Sequence, residues 1–449
     1  MRVRRSKLVR PRVLAAVAVL AGSLSALVAT GGSTATASST PKGGFITNFV
    51  QYVDGKPGSA NPKLAPALLG WSSNDTGGTV VSVGPEASAA AELAVNWINK
   101  YADGIDGHPL KLDECIVKNT EEEGLACAQG FLNNKKVPAI SYGALSVGAQ
   151  TIDHTVNGKK PIIQGFSLNN TDVITPSMYV LFAPGPFAVY PIAQFAKQYI
   201  HAKSAAIIYP AEAGLLENAQ GLKLTDTAAG ITSKLVSFSP TTTDLTGALT
   251  AAGAQTAGYV MLDITDASQC LAAVKAVTQL GIDPNKVVQF DQCDQPTIKS
   301  QYPGGDYPHY ASQLSQTGDP LIKSPTGVAM LKAFTAFGAQ ANINDDWYSG
   351  MWGQILTIAK FYNEIGYDKL SPATVTAKVK AFKGPLLEGG QLLQCGKYKA
   401  VPAACSDGGY FFRYQGAGKW TRVSGWTEPP IALQKQLEAR PFDSGFPAS

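Results

Sequence analysis

The sequence predicts an α/β fold made of two successive doubly wound blocks. Three observations carry that reading. From residue 65 onward, short apolar runs alternate with amphipathic helical patterns, the signature of β-α-β units and a parallel sheet. The alternation restarts near residue 190. The 449-residue chain, even without its leader, exceeds the ~100–200 residues of one domain.

The first residues stand outside this pattern. Arg2, Arg4, Arg5, Lys7, Arg10 and Arg12 form a basic segment, and 13–28 is an Ala/Val/Leu run. Ala35-Thr36-Ala37 offers a small-x-small cleavage site before Ser38. Gly22, Ser23 and Ser25 break the apolar run, which favours a cleaved signal over a membrane span of ~20 residues. We therefore expect a signal peptide over 1–37 and an exported, extracellular or envelope-associated protein. Arg4-Arg5 fits a twin-arginine motif only loosely, and no cysteine flanks the cleavage site to carry a lipid anchor. The Ser/Thr/Gly/Pro-rich stretch 38–62 reads as a flexible leader.

The elements then follow in order. Residues 65–71 make the first strand, and Ala91, Ala94, Val95 and Ile98 recur at helical spacing as a buried stripe. Strand 110–116, helix 124–132, and strands 137–142 and 160–163 complete the first block. In the second block, helices at 190–200, 216–229, 245–252 and 267–280 alternate with strands at 204–209, 233–238, 258–262 and 287–290. Beyond residue 308 the pattern loosens into helices 326–339 and 347–365. Aromatic strands at 410–414 and 419–423 close the chain. In doubly wound sheets a ligand sits beyond the C-terminal strand ends, and with two lobes that means the cleft between them.

Charge and cysteine usage exclude several classes. The chain holds 37 Lys+Arg and 33 Asp+Glu; removing the six signal cations leaves 31 against 33, near −2. That is no electrostatic footprint for nucleic acid or an anionic membrane. Cys115, Cys127, Cys270, Cys293, Cys395 and Cys405 are an even set in an exported chain, which reads as disulfides. Each neighbouring pair falls within one local unit, so sequential pairing is expected. A metal site is not expected: no C-x-x-C occurs, and His108, His154, His201 and His309 are scattered. No cofactor is expected either.

The most specific stretch runs Glu-Leu-Ala-Val-Asn-Trp-Ile-Asn-Lys-Tyr over 92–101, then Asp103-Gly104-Ile105-Asp106-Gly107 and His108-Pro109-Leu110. It resembles the first helix and second strand of type I solute-binding proteins, the hydrophobic-amino-acid-binding family of ABC importers. Further pieces lie in family order: Leu69-Gly70-Trp71-Ser72, Ser141-Tyr142-Gly143-Ala144-Leu145-Ser146, Thr243-Asp244-Leu245-Thr246 and Trp347-Tyr348-Ser349-Gly350. The resemblance covers nearly all of the chain after about Lys63. It implies two α/β lobes joined by three crossover segments, here near Phe182, Pro308 and Pro385. The lobes would then be 63–182 with 308–384, and 183–307 with 385–449, each discontinuous in sequence.

The resemblance also implies a site. The Ser146 hydroxyl and neighbouring amides would hold a ligand carboxylate at a helix start, where exposed N–H groups favour an anion. The competing role is a plain helix cap. Ser167 would add a polar contact, against a loop hydroxyl bonded to its own backbone. Asp266 would pair a ligand ammonium by a charge-assisted hydrogen bond, or else cap the helix that follows; Asp263 and Asp291 compete for the role. Trp71, beside Ser72, would wall the cleft with an aromatic face, or else pack in the core. Where many family members carry Tyr-Gly, this chain has Ala213-Gly214, which leaves branched-chain amino acids as one option among several.

The expected function is capture of a small polar ligand, amino-acid- or amide-like, and its delivery to an ABC importer. The implied partners are the permease and ATPase subunits, and the implied state is a monomer. A secreted sensor module of the same fold is the alternative. A serine hydrolase using Ser146 is a remote one, because Ala144 stands where a G-x-S-x-G elbow needs glycine.

Overall fold

The computed structural model describes residues 45–75, 84–118, 120–167, 170–183, 185–264, 266–290, 293, 307–313, 324–340, 346–387, 395–416 and 419–439. The expected signal peptide lies outside these residues, and so does Asp291.

Two sheets organise the chain. The first holds β1 (Ala67–Ser72), β2 (Leu110–Glu114), β3 (Ile140–Tyr142), β4 (Ile162–Phe166) and β5 (Met178–Ala183), in the order β2-β1-β3-β4-β5. All its pairings are parallel. The second holds β6 (Ser204–Pro210), β7 (Thr232–Phe238), β8 (Tyr259–Leu262), β9 (Val287–Phe290), β10 (His309–Gln313), β11 (Tyr410–Tyr414) and β12 (Trp420–Arg422). Its order is β12-β11-β10-β9-β8-β6-β7. Five strands run parallel, and β11 and β12 add an antiparallel hairpin at the edge.

Helices cover both faces of each sheet, as parallel strands require. On one face of the first sheet lie α1 (Phe49–Tyr52), α2 (Gly84–Tyr101), α10 (Pro325–Thr335), α11 (Asp346–Ile365) and α12 (Pro372–Ala381). On the other lie α3 (Glu121–Asn133) and α4 (Ala149–Val156). A short α5 (Asn170–Ile174) precedes β5. The second sheet is covered on one face by α6 (Gly185–Phe195), α7 (Ala213–Ala229) and α13 (Ile431–Ala439). Its other face carries α8 (Thr246–Ala252) and α9 (Ala267–Gln279).

Small residues let α2 lie close to its neighbours: Ala87, Ala90, Ala91 and Ala94 are fully buried. Trp97 of α2 meets Trp352 of α11 edge to face at 5.5 Å, a geometry aromatic pairs prefer. The turn after α2 explains its sequence. Asn99 donates from Nδ2 to the Leu110 carbonyl at 2.8 Å and accepts from the Leu110 amide at 2.7 Å, clamping the start of β2. Gly104 has φ +63°, and an added Cβ would lie 2.1 Å from the His108 carbonyl oxygen, so only glycine fits.

The three disulfides join Cys115–Cys127, Cys270–Cys293 and Cys395–Cys405, the sequential pairing expected.

Two expectations need correction. Part of the expected flexible leader is packed: α1 lies within it, and Phe49, Tyr52 and Val53 are buried in the first core. The Gly/Ser/Pro composition of 38–62 hid this short apolar cluster. The crossover expected near Pro308 comes too early, because His309–Gln313 still pairs with β9 in the second sheet. The next described element, α10, packs on the first core. Within 385–449, expected in the second lobe, α13 buries Leu433 and Leu437 in the second core.

Candidate ligand-binding site

Strand order points to one place on each sheet. In the first, β1 sits between β2 and β3, so the connections diverge and leave a crevice beyond the C-terminal ends of β1 and β3. In the second, β6 sits between β7 and β8, which puts the crevice beyond β6 and β8.

The first crevice is held together by its own polar groups. The Ser72 hydroxyl donates to the Cys115 carbonyl at 2.9 Å. Asn74 donates from Nδ2 to the carbonyls of Val117 and Val147, at 3.0 and 3.2 Å. Its Oδ1 accepts the Ser146 amide at 2.7 Å, so one side chain ties together the loops after β1, β2 and β3. Gly143 starts the loop after β3 pressed against β1, and a Cβ there would lie 2.7 Å from Trp71 Cζ2.

Helix α4 begins two residues later than expected. Its N-cap is Gly148, at φ 83°, and Ser146 stands before it without capping. Glu121 of α3 does the capping instead. Its Oε1 accepts the Gly148 amide at 2.9 Å, and its Oε2 accepts the Thr151 hydroxyl at 2.5 Å. A protein carboxylate therefore occupies the positive end of this helix.

Gln354 of α11 closes the same edge from the other face. It donates to the Ser141 hydroxyl and the Tyr142 carbonyl, both at 2.7 Å, and its Oε1 accepts the Gly165 amide at 2.5 Å. Ser167 follows, buried, just beyond β4. Trp71 is core: it is fully buried, and its indole N–H donates to the Ser88 hydroxyl of α2 at 2.9 Å. An aromatic wall on the cleft is thus corrected to a core anchor, because a strand covered on both faces turns Trp71 towards α2.

The second crevice centres on Asp263. Its amide donates to the Ile208 carbonyl at 3.0 Å, fixing it to the end of β6. The carboxyl is completely buried; the Asn218 side chain lies against it as a hydrogen-bonding neighbour, but neither oxygen reaches a hydrogen bond of good geometry among the described residues. Burial pushes this carboxyl well above the usual carboxylate range, partly offset by the neighbouring Asn218 side chain. Asp266 is the N-cap of α9: Oδ1 accepts from the amides of Ser268 and Gln269 at 2.9 and 3.2 Å. The capping reading of Asp266 is thus the one its bonds support. Tyr209, at the end of β6, packs into the second core.

Sequence reasoning missed Asn74, Glu121 and Gln354. Gln354 had a readable signal, a lone amide within the run Met351-Trp352-Gly353-Gln354-Ile355-Leu356, which is buried throughout. Among the described residues, no group of three or more His, Cys, Asp or Glu is arranged to hold a metal ion. No helix among them is long and apolar enough to cross a membrane.

Comparisons place this arrangement among known proteins. A family model described as periplasmic binding protein matches residues 68–397. A leucine-binding protein, LivK, of Thermotoga maritima is 14% identical with a TM-score of 0.61, over 81% of this chain and 99% of that one. A branched-chain amino acid ABC transporter periplasmic ligand-binding protein of Burkholderia xenovorans is 18% identical with a TM-score of 0.62, over 83% and 97%. A fatty acid ABC transporter substrate-binding protein of Thermomonospora curvata is 14% identical with a TM-score of 0.62, over 86% and 98%. No curated protein sequence matches the chain.

Proposed function

The chain belongs to the periplasmic binding proteins, and from that premise we propose that it captures a small polar solute, of amino-acid or amide class, between its two lobes. It then delivers the solute to the permease and ATPase of an ABC importer. Family members are solute carriers outside the cytoplasm rather than enzymes. The finer localisation, export by the signal peptide at 1–37, is part of this reading.

One observation carries the ligand class: Asp263, a fully buried carboxyl with no well-formed hydrogen bond to either oxygen among the described residues, stands at the crevice of the second sheet. Burying such a group unpaired costs free energy, which a polar ligand recovers by bonding to it. In this reading Asp263 bonds the polar head of the ligand, and Asp291 stays a candidate for the same role. Ser146 and Ser167 contribute from the first sheet. Trp71, Ser72 and Asp266 act indirectly, by fixing the loops. Closure is favoured because the ligand touches both lobes, and a ligand shifts a conformational equilibrium only by its differential affinity. The similar proteins named for leucine, branched-chain amino acids and fatty acids show how widely ligands vary on this fold.

A thermal-shift screen of the chain from Ser38 tests this, using amino acids, amides, polyamines and small carboxylates. A ligand at ~1,000 times its Kd adds about 4 kcal/mol of stability. A large shift confined to one polar class is the expected result. No shift with any solute would sink the reading.

A further inference from the structure

The hydrogen bonds of the first crevice narrow the ligand further, on the premise that the cleft binds a solute at all. Four of the donors at the C-terminal edge of that sheet, near the switch point, are the amides of Ser146, Gly148 and Gly165, and the Thr151 hydroxyl. All four are already taken. Asn74 Oδ1 holds the Ser146 amide at 2.7 Å, and Gln354 Oε1 holds the Gly165 amide at 2.5 Å. Glu121 holds the Gly148 amide at 2.9 Å and the Thr151 hydroxyl at 2.5 Å. The start of α4 would otherwise be an anion receptor, since its free N–H groups and helix dipole favour negative charge. Here Glu121 already supplies the anion. A ligand carboxylate brought to this edge finds these donors engaged and a like charge in place.

Further carboxylates stand at this edge. One oxygen of Asp75, after β1, and one of Glu86, in the first turn of α2, are buried without a hydrogen-bond partner among the described residues. Glu114 ends β2, and its carboxyl is raised by burial and by the nearby charges of Glu92 and Asp75. Lys118 is a counter-charge at this end of the sheet. In the second crevice stands Asp263, buried beside Asn218 and without a well-formed hydrogen bond to either oxygen among the described residues.

We propose that the ligand is a small organic cation that carries no carboxylate, an amine or the amide of an amino acid, held by its ammonium group on Asp263. An ammonium donates up to three hydrogen bonds and would satisfy both carboxylate oxygens at once. Glu121 is then a specificity-determining residue. It touches no ligand and rejects the carboxylate of the corresponding amino acid by occupying its receptor.

Three matched panels test this on the chain from Ser38: the common amino acids, their primary amides, and the amines that decarboxylation leaves. Binding is read by thermal shift and calorimetry. The expected result is a ligand among the amides or amines whose parent amino acid binds at least about tenfold more weakly. Asp263→Asn should weaken the amine about tenfold or more. Glu121→Ala should narrow the affinity gap between the amine and its parent amino acid, whatever its effect on the amine alone.

An amino acid that binds the unaltered protein as tightly as its amide would overturn the proposal and leave solute capture standing. So would a tight anionic or uncharged ligand with all three panels silent. An affinity gap unchanged in Glu121→Ala would remove Glu121 as the barrier. Silence from every solute would overturn solute capture itself, and this proposal with it.

Discussion

The side-chain amide of Gln354 donates to the Ser141 hydroxyl at 2.7 Å, joining α11 to β3 across 213 residues of sequence. The same side chain accepts from the Gly165 amide on β4. A late helix therefore fixes the spacing of two early strands at the edge where the ligand is expected. Gln354 is fully buried, so its bonds are made at low dielectric and are costly to lose.

Gln354→Leu should cost about 3 kcal/mol or more, because the Gly165 amide and Tyr142 carbonyl lose a buried partner. Urea unfolding checks it. Gln354→Glu keeps the acceptor but loses the donor, and should fall between the two. A loss below about 0.5 kcal/mol would show the bonds to be replaceable by solvent.

Asp226 gives a pH dependence. It is buried at the end of α7, accepts from Tyr259 at 2.9 and 3.0 Å and from Ser233 at 2.6 Å. Burial pushes its pKa up to about 7 despite those bonds. In the unfolded chain the group ionises above about pH 4. Between those values the folded state holds a proton that the unfolded state has lost, so stability falls as pH rises. The expected loss is about 2 kcal/mol between pH 5 and 7. Asp226→Asn should flatten that part of the profile. An unchanged slope in the variant would assign the dependence elsewhere, with Asp153 next: burial raises its pKa to about 6.

Removing the Cys115–Cys127 bridge by a double serine substitution should cost about 2–4 kcal/mol, the range for a short closed loop. The bridge ties the end of β2 to α3, whose first residue is Glu121, so its loss should also loosen the α4 cap. Hydrogen exchange at Gly148 reads that second effect. Mass spectrometry of unreduced peptides should find the three sequential pairs and no crossed linkage.

The sheets were legible in the sequence because strands covered on both faces are unbroken apolar runs. Ile207-Ile208 in β6 and Val260-Met261-Leu262 in β8 are all buried. Disulfide pairing was legible because each bridge is local, the longest spanning 23 residues. The site was not, because its bonds are long-range. Asn74 reaches Ser146 across 72 residues and Glu121 reaches Gly148 across 27, with no periodicity to announce either. Asp263 was visible only as one acid among three. Strand order, which no single stretch encodes, puts it at the switch point and leaves Asp266 as a cap.

The packed leader gives the last test. Phe49 is 4% exposed and stacks edge to face on Trp97 at 5.9 Å and on Trp352 at 5.7 Å. Tyr52 bonds the Thr357 hydroxyl at 2.9 Å in the middle of α11. These contacts bridge α2 and α11, the two helices that cover the first sheet. Phe49→Ala should therefore cost about 3–5 kcal/mol, transfer and cavity terms together. A chain started at Lys63 loses Phe49, Tyr52 and Val53 at once and should unfold well below the chain started at Ser38. Because α11 also carries Gln354, the shortened chain should bind ligand more weakly although it lacks no residue of either crevice. Equal melting temperatures for the two chains would show the segment to be a passive leader, as its composition suggests.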